Sequence, residues 1–353
     1  MKETMTPRER VLAVLNREKP DRVPMDYWGV PEVATRLMKE LNCQNEIELC
    51  RKLHIDRIFV IGPKYAGPAL APGTDAFGLE WRTIRYADNA GEYEEVASSP
   101  LGKFNSVQEI EREYTWPSID WWDFGVVPAL VEKYKDFAVR GQKWDAMSLY
   151  CYLRGMERAF MDLIDAPEIA RYCLNKIFDF CHTWNQRILE QGQGQIKIIF
   201  ISDDMGTQEG LLMSPRQLEE FIFPGMKRLI DQVHSAGAFV FHHNDGAILP
   251  LIPRLIELGI DILNPIQWRC KGMDREVIGR DFGDRLIFHG GVDNQHTLPF
   301  GSVKDVREEV LYNLRVLGQK GGYILGPCHN IQVITPTENI LALYQTGYEA
   351  GWC

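Results

Sequence analysis

Acidic, imidazole, thiol and amide side chains gather in a few short clusters of this chain, and these are the residue types that hold metals and move protons. Four clusters carry such groups: Ser202-Asp203-Asp204, His242-His243-Asn244-Asp245-Gly246, His289-Gly290-Gly291-Val292-Asp293-Asn294-Gln295 and Gly326-Pro327-Cys328-His329-Asn330. A fifth, Asn264-Pro265-Ile266-Gln267, is polar but uncharged. Asp203 and Asp204 suit a general acid or a substrate anchor, and equally a rim ion pair. A histidine in such a cluster is a proton carrier, a metal ligand or a core residue bonded to backbone.

Each cluster follows a short β-branched or aromatic run, and amphipathic stretches separate the runs. That alternation predicts successive βα units around a parallel sheet. Strands are expected at Ile196–Asp203, Ala238–Asn244, Ile260–Ile266, Leu286–Val292 and Gly322–Gly326. Helices are expected near Pro215–Ala236, Ile248–Leu258, Val303–Leu317 and Thr337–Ala350. Three of them carry N-capping signals, at Ser214-Pro215, at Ser302 with Asp305, and at Thr335-Pro336-Thr337-Glu338. Arg22–Tyr27, Asp56–Ile61 and Phe137–Asp145 are the remaining strand candidates. The expected architecture is α/β, a single-domain (β/α)8 barrel over residues 1–353. Phe77–Ser98, turning at Asp88-Asn89-Ala90-Gly91, reads as an inserted β-hairpin in the N-terminal half. Tyr114–Phe124 reads as a tryptophan-rich loop near the mouth. In such a barrel, polar residues at the C-terminal strand ends carry the chemistry, which is where the clusters lie.

Composition narrows the function classes. A chain of 353 residues, 45% hydrophobic and 25% charged, has ample material for one large core. Its formal charge of −10 opposes sequence-independent nucleic-acid binding. The apolar runs are strand-length, so no membrane span is expected, and Met1–Lys19 lacks the apolar core of a secretory signal; a cytoplasmic location follows as an expectation. The eight cysteines are scattered, without a CxxC pair, and reduced thiols are expected.

Ile201-Ser202-Asp203-Asp204-Met205-Gly206-Thr207-Gln208 with Met213-Ser214-Pro215 resembles a signature of the uroporphyrinogen decarboxylase superfamily. Phe241–Gly246, Phe288–Asp293 and Gly321–Pro336 are similar to its later motifs in the same order. Thr6–Val11 and Pro20–Pro24 resemble its N-terminus, so the likeness covers nearly the whole chain. The superfamily implies two reactions: decarboxylation of a tetrapyrrole, and zinc-dependent methyl transfer to or from a separate corrinoid protein. The decarboxylases carry an Arg-Gln-Ala-Gly-Arg motif whose arginines hold acidic side chains. Here that place reads Met25-Asp26-Tyr27-Trp28-Gly29-Val30-Pro31-Glu32, which offers no cation.

The methyltransferase branch carries a His-x-Cys pair and a distant second Cys as zinc ligands. The resemblance places His243 at the histidine, Asp245 where a cysteine would stand, and Cys328 at the downstream cysteine. Such a set leaves a position open for substrate. His243 and Asp245 lie two apart at a strand end and face the same way. Asp245 could instead cap the following helix, and Cys328 could be an inert buried thiol. A carboxylate makes the metal a harder Lewis acid, which suits the ether oxygen of a methoxylated substrate, although a thiol acceptor stays open. The methyl-carrying cofactor, methylcobalamin or a related corrinoid, would be supplied by the partner protein, since no Asp-x-His-x-x-Gly signature occurs. Asp204 and His289 are the catalytic candidates, with Glu209 and His329 as weaker metal candidates. Tyr27, Trp28, Trp144, Asn264 and Gln267 are the substrate-binding candidates, and Trp268 shares their place near a strand end. His242 should face the helix layer.

Overall fold

The apolar runs expected as strands pair, and all in one direction. Phe59–Val60, Val139–Arg140, Ile198–Ser202, Phe239–His243, Ile262–Asn264, Ile287–His289 and Tyr323–Ile324 lie side by side in that order, each parallel to its neighbour. The computed structural model describes residues 2–88, 91–141 and 144–353, the side chain of Trp144 excepted. Trp144–Asp145 pairs with Ile201 and Ser202, so it continues the line begun by Val139–Arg140.

The expected strand Arg22–Tyr27 forms no ladder. Met25 makes one parallel bridge to Leu325, and its carbonyl accepts the Asp56 N–H at 2.7 Å. Pro24 has no N–H to offer, and the Asp26 carboxylate takes the Ile58 N–H at 3.0 Å where a backbone carbonyl would otherwise serve. The sheet therefore curls until both its edges reach one segment.

Alternation along the strands sorts residues into two layers. Ile198, Phe200, Phe241, Ile262, Ile287 and Ile324 face inward and pack with Val11, Val14 and Leu15 of the helix Pro7–Leu15, which plugs the end where the strands begin. Ile199, Ile201, Val240, Leu263 and Phe288 face the surrounding helices. Each such buried side chain contributes about 1.5–3 kcal/mol.

The helices follow the expected pattern with one break. Pro215–Ala236 is interrupted by a π turn at Leu218–Ile222 before Phe223–Ser235 resumes as α-helix, because Pro224 removes a backbone donor at the junction. Ser214 and Ser302 form capping boxes with Gln217 and Asp305. Thr335 does not cap: Pro336 holds that position before Thr337–Ala350, and the Thr335 hydroxyl is buried without a partner among the described residues. Glu80–Tyr86 and Gly91–Ser98 pair antiparallel as a hairpin; residues 89 and 90 of its turn lie outside the described residues. In the Tyr114–Phe124 stretch, Trp122–Asp123 pairs with Lys64–Tyr65. All eight cysteines are free, and no described helix is long and apolar enough to cross a membrane.

Candidate metal centre and its cavity

One layer above the inward aromatic residues the strands carry polar side chains. Ser202, His243 and Asn264 stand in register across three adjacent strands. His243 Nδ1 lies 2.6 Å from Asn264 Oδ1, Asn264 Nδ2 lies 2.8 Å from His289 Nδ1, and His289 Nε2 lies 2.9 Å from Asp26 Oδ2. The buried carboxylate fixes the direction of this chain. An ionised Asp26 requires the proton on His289 Nε2, which leaves His289 Nδ1 to accept from the Asn264 amide. Asn264 Oδ1 then accepts from His243 Nδ1, and His243 Nε2 keeps its lone pair. Burial alone would raise the Asp26 carboxyl, but the His289 hydrogen bond, the Ile58 N–H and nearby Arg57 hold it below the usual carboxylate range.

His243 Nε2 faces two carboxylates, Asp245 at 3.6 Å and Asp204 at 3.7 Å. Ligand atoms of His243, Asp245 and His329 all lie within 4.8 Å of one another. Two glycines allow this closeness. Gly246 has φ +98° and a Cβ there would meet Gly206 backbone at 2.5 Å, while a Cβ on Gly206 would meet the Asp245 carbonyl at 2.7 Å. The Asp245 N–H donates to Asp204 Oδ1 at 2.9 Å and the Gly246 N–H to Gln267 Oε1 at 2.8 Å, which secures the loop. Asp245 thus belongs with the imidazoles rather than with a helix cap.

Cys328 does not join this set. Its buried thiol points to the Ile266 carbonyl at 3.5 Å, and burial raises it well above the usual thiol range. The chain bends at Cys328 and His329, and it is the His329 ring that comes near His243, with ring centroids 5.6 Å apart.

These imidazoles open on a cavity of about 220 Å³ lined by Tyr27, Trp28, Arg57, Arg140, Phe200, His243 and His329, among others. Trp28 stacks on Phe241 and donates its indole N–H to Asp26 at 3.0 Å. Arg140 is the unexpected member. It is 8% exposed, stands 4.2 Å over the Phe200 ring, and its only hydrogen bond among the described residues goes to the Gly141 carbonyl at 3.3 Å. Desolvating a cation costs several kcal/mol, whereas a cation–π contact returns about 0.5–2 and a hydrogen bond to a charged group about 1.5–3. The guanidinium is left under-compensated, and burial draws it down to about 10 despite Asp26 and Asp145 nearby.

Other expected site residues lie behind the wall. His289 is fully buried with both ring nitrogens engaged, linked to His243 through Asn264, and does not line the cavity. Asn264 is likewise buried, and Gln267 holds Gly246, so neither lines the cavity. Tyr27 and Trp28 do line it; the Trp144 side chain lies outside the described residues. Asp203 is buried and accepts the Met147 and Ser148 N–H groups, anchoring the helix Ala146–Arg154, while Asp204 stays 45% exposed at the mouth. His242 faces the helix side, bonded to the Ile201 carbonyl, and Trp268 is held by Glu309 and Arg275. The exposed Glu209 pairs with Lys271. Asp26, Arg57 and Arg140 were not singled out from sequence, although an arginine inside the apolar run Phe137–Gly141 is a signal that could have been read.

A family model described as uroporphyrinogen decarboxylase (URO-D) matches residues 128–349. A uroporphyrinogen decarboxylase of Anaeromyxobacter dehalogenans is 32% identical over 140 residues, 40% of this chain and 38% of its own length. One from Crocosphaera subtropica is 25% identical over 184 residues, 51% of this chain and 47% of its own. The chain therefore spans less than half the length of these curated relatives. A solved methyltransferase from Methanosarcina mazei superposes with a TM-score of 0.70 over 98% of this chain and 99% of its own, at 17% identity, a likeness of fold.

Proposed function

Because this chain belongs to the uroporphyrinogen decarboxylase family, we propose that it is a zinc-dependent methyltransferase of that family, exchanging a methyl group between a small substrate and a separate corrinoid protein. The reading rests on the convergence of His243, Asp245 and His329 beside a small cavity. Two imidazoles and a carboxylate, with His243 oriented by Asn264, fit a catalytic zinc with a position left for substrate. The shared fold with the M. mazei methyltransferase supports it. On this reading the 22–27 segment is the eighth stave of a (β/α)8 barrel, and residues 1–353 are one domain.

Zinc bound there would act as a Lewis acid toward a substrate oxygen or thiol. The chain's own residues do the rest. Asp26, His289 and Asn264 hold the His243 ring and its tautomer. Trp28 and Phe200 supply the apolar part of the cavity wall. Asp204, held by the Asp245 N–H and open to the mouth, is placed to pass a proton to the atom that loses its methyl group.

Decarboxylation of a tetrapyrrole is the second reading, favoured by the two bacterial decarboxylases aligned above. The 220 Å³ cavity and the cation-free Met25–Glu32 stretch weigh against a polycarboxylate of that size. Metal analysis of the purified protein separates the two. Near-stoichiometric zinc, lost in His243→Ala and His329→Ala but kept in Cys328→Ala, is the expected result. Protein that is metal-free and is not reconstituted by added zinc would sink the methyltransferase reading.

A further inference from the structure

The cavity wall carries a charge that no described carboxylate pairs with directly. Arg140 is buried, projects from the strand Val139–Arg140 rather than from a loop, and has no carboxylate within 4.0 Å among the described residues. Arg57, the other cation on the wall, lies 3.3 Å from Glu46. One positive charge is thus uncommitted, which matches one negative charge. A guanidinium presents paired donors that fit the two oxygens of a carboxylate. The Phe200 ring lies 4.2 Å from the Arg140 guanidinium carbon and 5.9 Å from the centroid of the His243 ring, so one small molecule over Phe200 reaches both.

We propose that Arg140 anchors a carboxylate of the substrate, so that the enzyme acts on a small, singly charged organic acid. Its apolar body lies along Trp28 and Phe200, and its other end approaches His243 and His329. The proposal rests on the methyltransferase reading only for what happens at that far end.

Isothermal titration of the purified protein with benzoate, 4-methoxybenzoate, 4-methoxybenzamide and inorganic phosphate tests it. The two carboxylates should bind at least about tenfold more tightly than the amide and than phosphate. Arg140→Gln should abolish that preference, and Arg140→Lys should keep part of it. The proposal is overturned if neither carboxylate binds, if amide or phosphate binds as well, or if Arg140→Gln leaves the preference intact. Should Arg140→Gln fail to fold, the wild-type preference and the Arg140→Lys variant decide the matter. Binding is scored without methyl transfer, so failure here leaves the methyltransferase reading standing. Protein without zinc that still prefers carboxylates would do the reverse.

Discussion

The two ends of the curled sheet treat buried charge in opposite ways. Where the strands begin, Arg10, Arg22 and Asp56 are buried together: Arg10 and Arg22 both bond the Asp56 carboxylate, the latter at 2.7 Å, and Arg10 also reaches Asp21 at 2.6 Å. Asp56 further accepts the Met25 N–H at 2.8 Å, and Arg22 reaches Glu3 at 2.9 Å. Every charge there has a complement. Where the strands end, Arg140 is paired with no carboxylate among the described residues, and two carboxylates crowd the single lone pair of His243. Saturated networks fix a structure, whereas unsaturated ones mark where a ligand completes the set.

The largest effect that would break this contrast lies at the saturated end. Asp56→Ala leaves two buried guanidinium groups without their shared carboxylate, and should cost about 3–5 kcal/mol in urea denaturation. A loss within about 0.5 kcal/mol would mean the network is not what holds that end. Asp21 offers a pH-resolved version of the same test. Partial burial would raise its carboxyl, but Arg10 and the Thr4 and Met5 N–H groups outweigh this and hold it well below the usual range. A depressed folded-state carboxyl contributes stability that is present above its ordinary value near 3.8 and is lost as pH falls below it. Asp21→Asn should therefore be about 2 kcal/mol less stable than wild type at pH 7, with the gap closing as pH drops below 4. A gap independent of pH would deny the carboxylate this role.

The third test addresses the relay that crosses between the layers. Asp26→Asn removes the negative charge and one of the two acceptor oxygens, so the His289 proton is no longer fixed and, through Asn264, neither is the tautomer of His243. Zinc affinity should fall about 10–100-fold, with little change in the fold by circular dichroism. Unchanged affinity would reduce Asp26 and His289 to packing.

Much of this was legible in the sequence, for a physical reason. Strands buried on both faces are continuous apolar runs, so Ile198–Ser202 and Phe239–His243 could be located within two residues, and the polar clusters mark where they end. The helix Thr337–Ala350 is expected with the same bounds, while the π turn at Leu218–Ile222 is not, since the expected helix Pro215–Ala236 runs through Pro224 without a break. At the site, His243 and Asp245 come from the family resemblance, and their period-two spacing agrees with it. His329 over Cys328 does not, because which of two adjacent residues turns inward depends on the local path of the loop. Beside its local partners Tyr27 and Trp28, Asp26 is bonded by residues 32 and 263 positions away, beyond any local pattern.

The smallest expected effect is the sharpest for the contrast between the ends. Arg140→Met keeps an unbranched, apolar though shorter side chain beside Phe200 while removing a charge whose desolvation its neighbours only partly balance. Replacing an under-compensated buried charge by an apolar group of similar shape is neutral or stabilising, so urea denaturation should show no loss and a gain of about 1 kcal/mol. The same chemical operation, deletion of one buried charge, should thus destabilise at one end of the sheet and not at the other. A loss of several kcal/mol would make Arg140 a structural cation like Arg10 and would erase the distinction. Retained stability together with lost discrimination between carboxylate and amide would tie the residue to recognition alone.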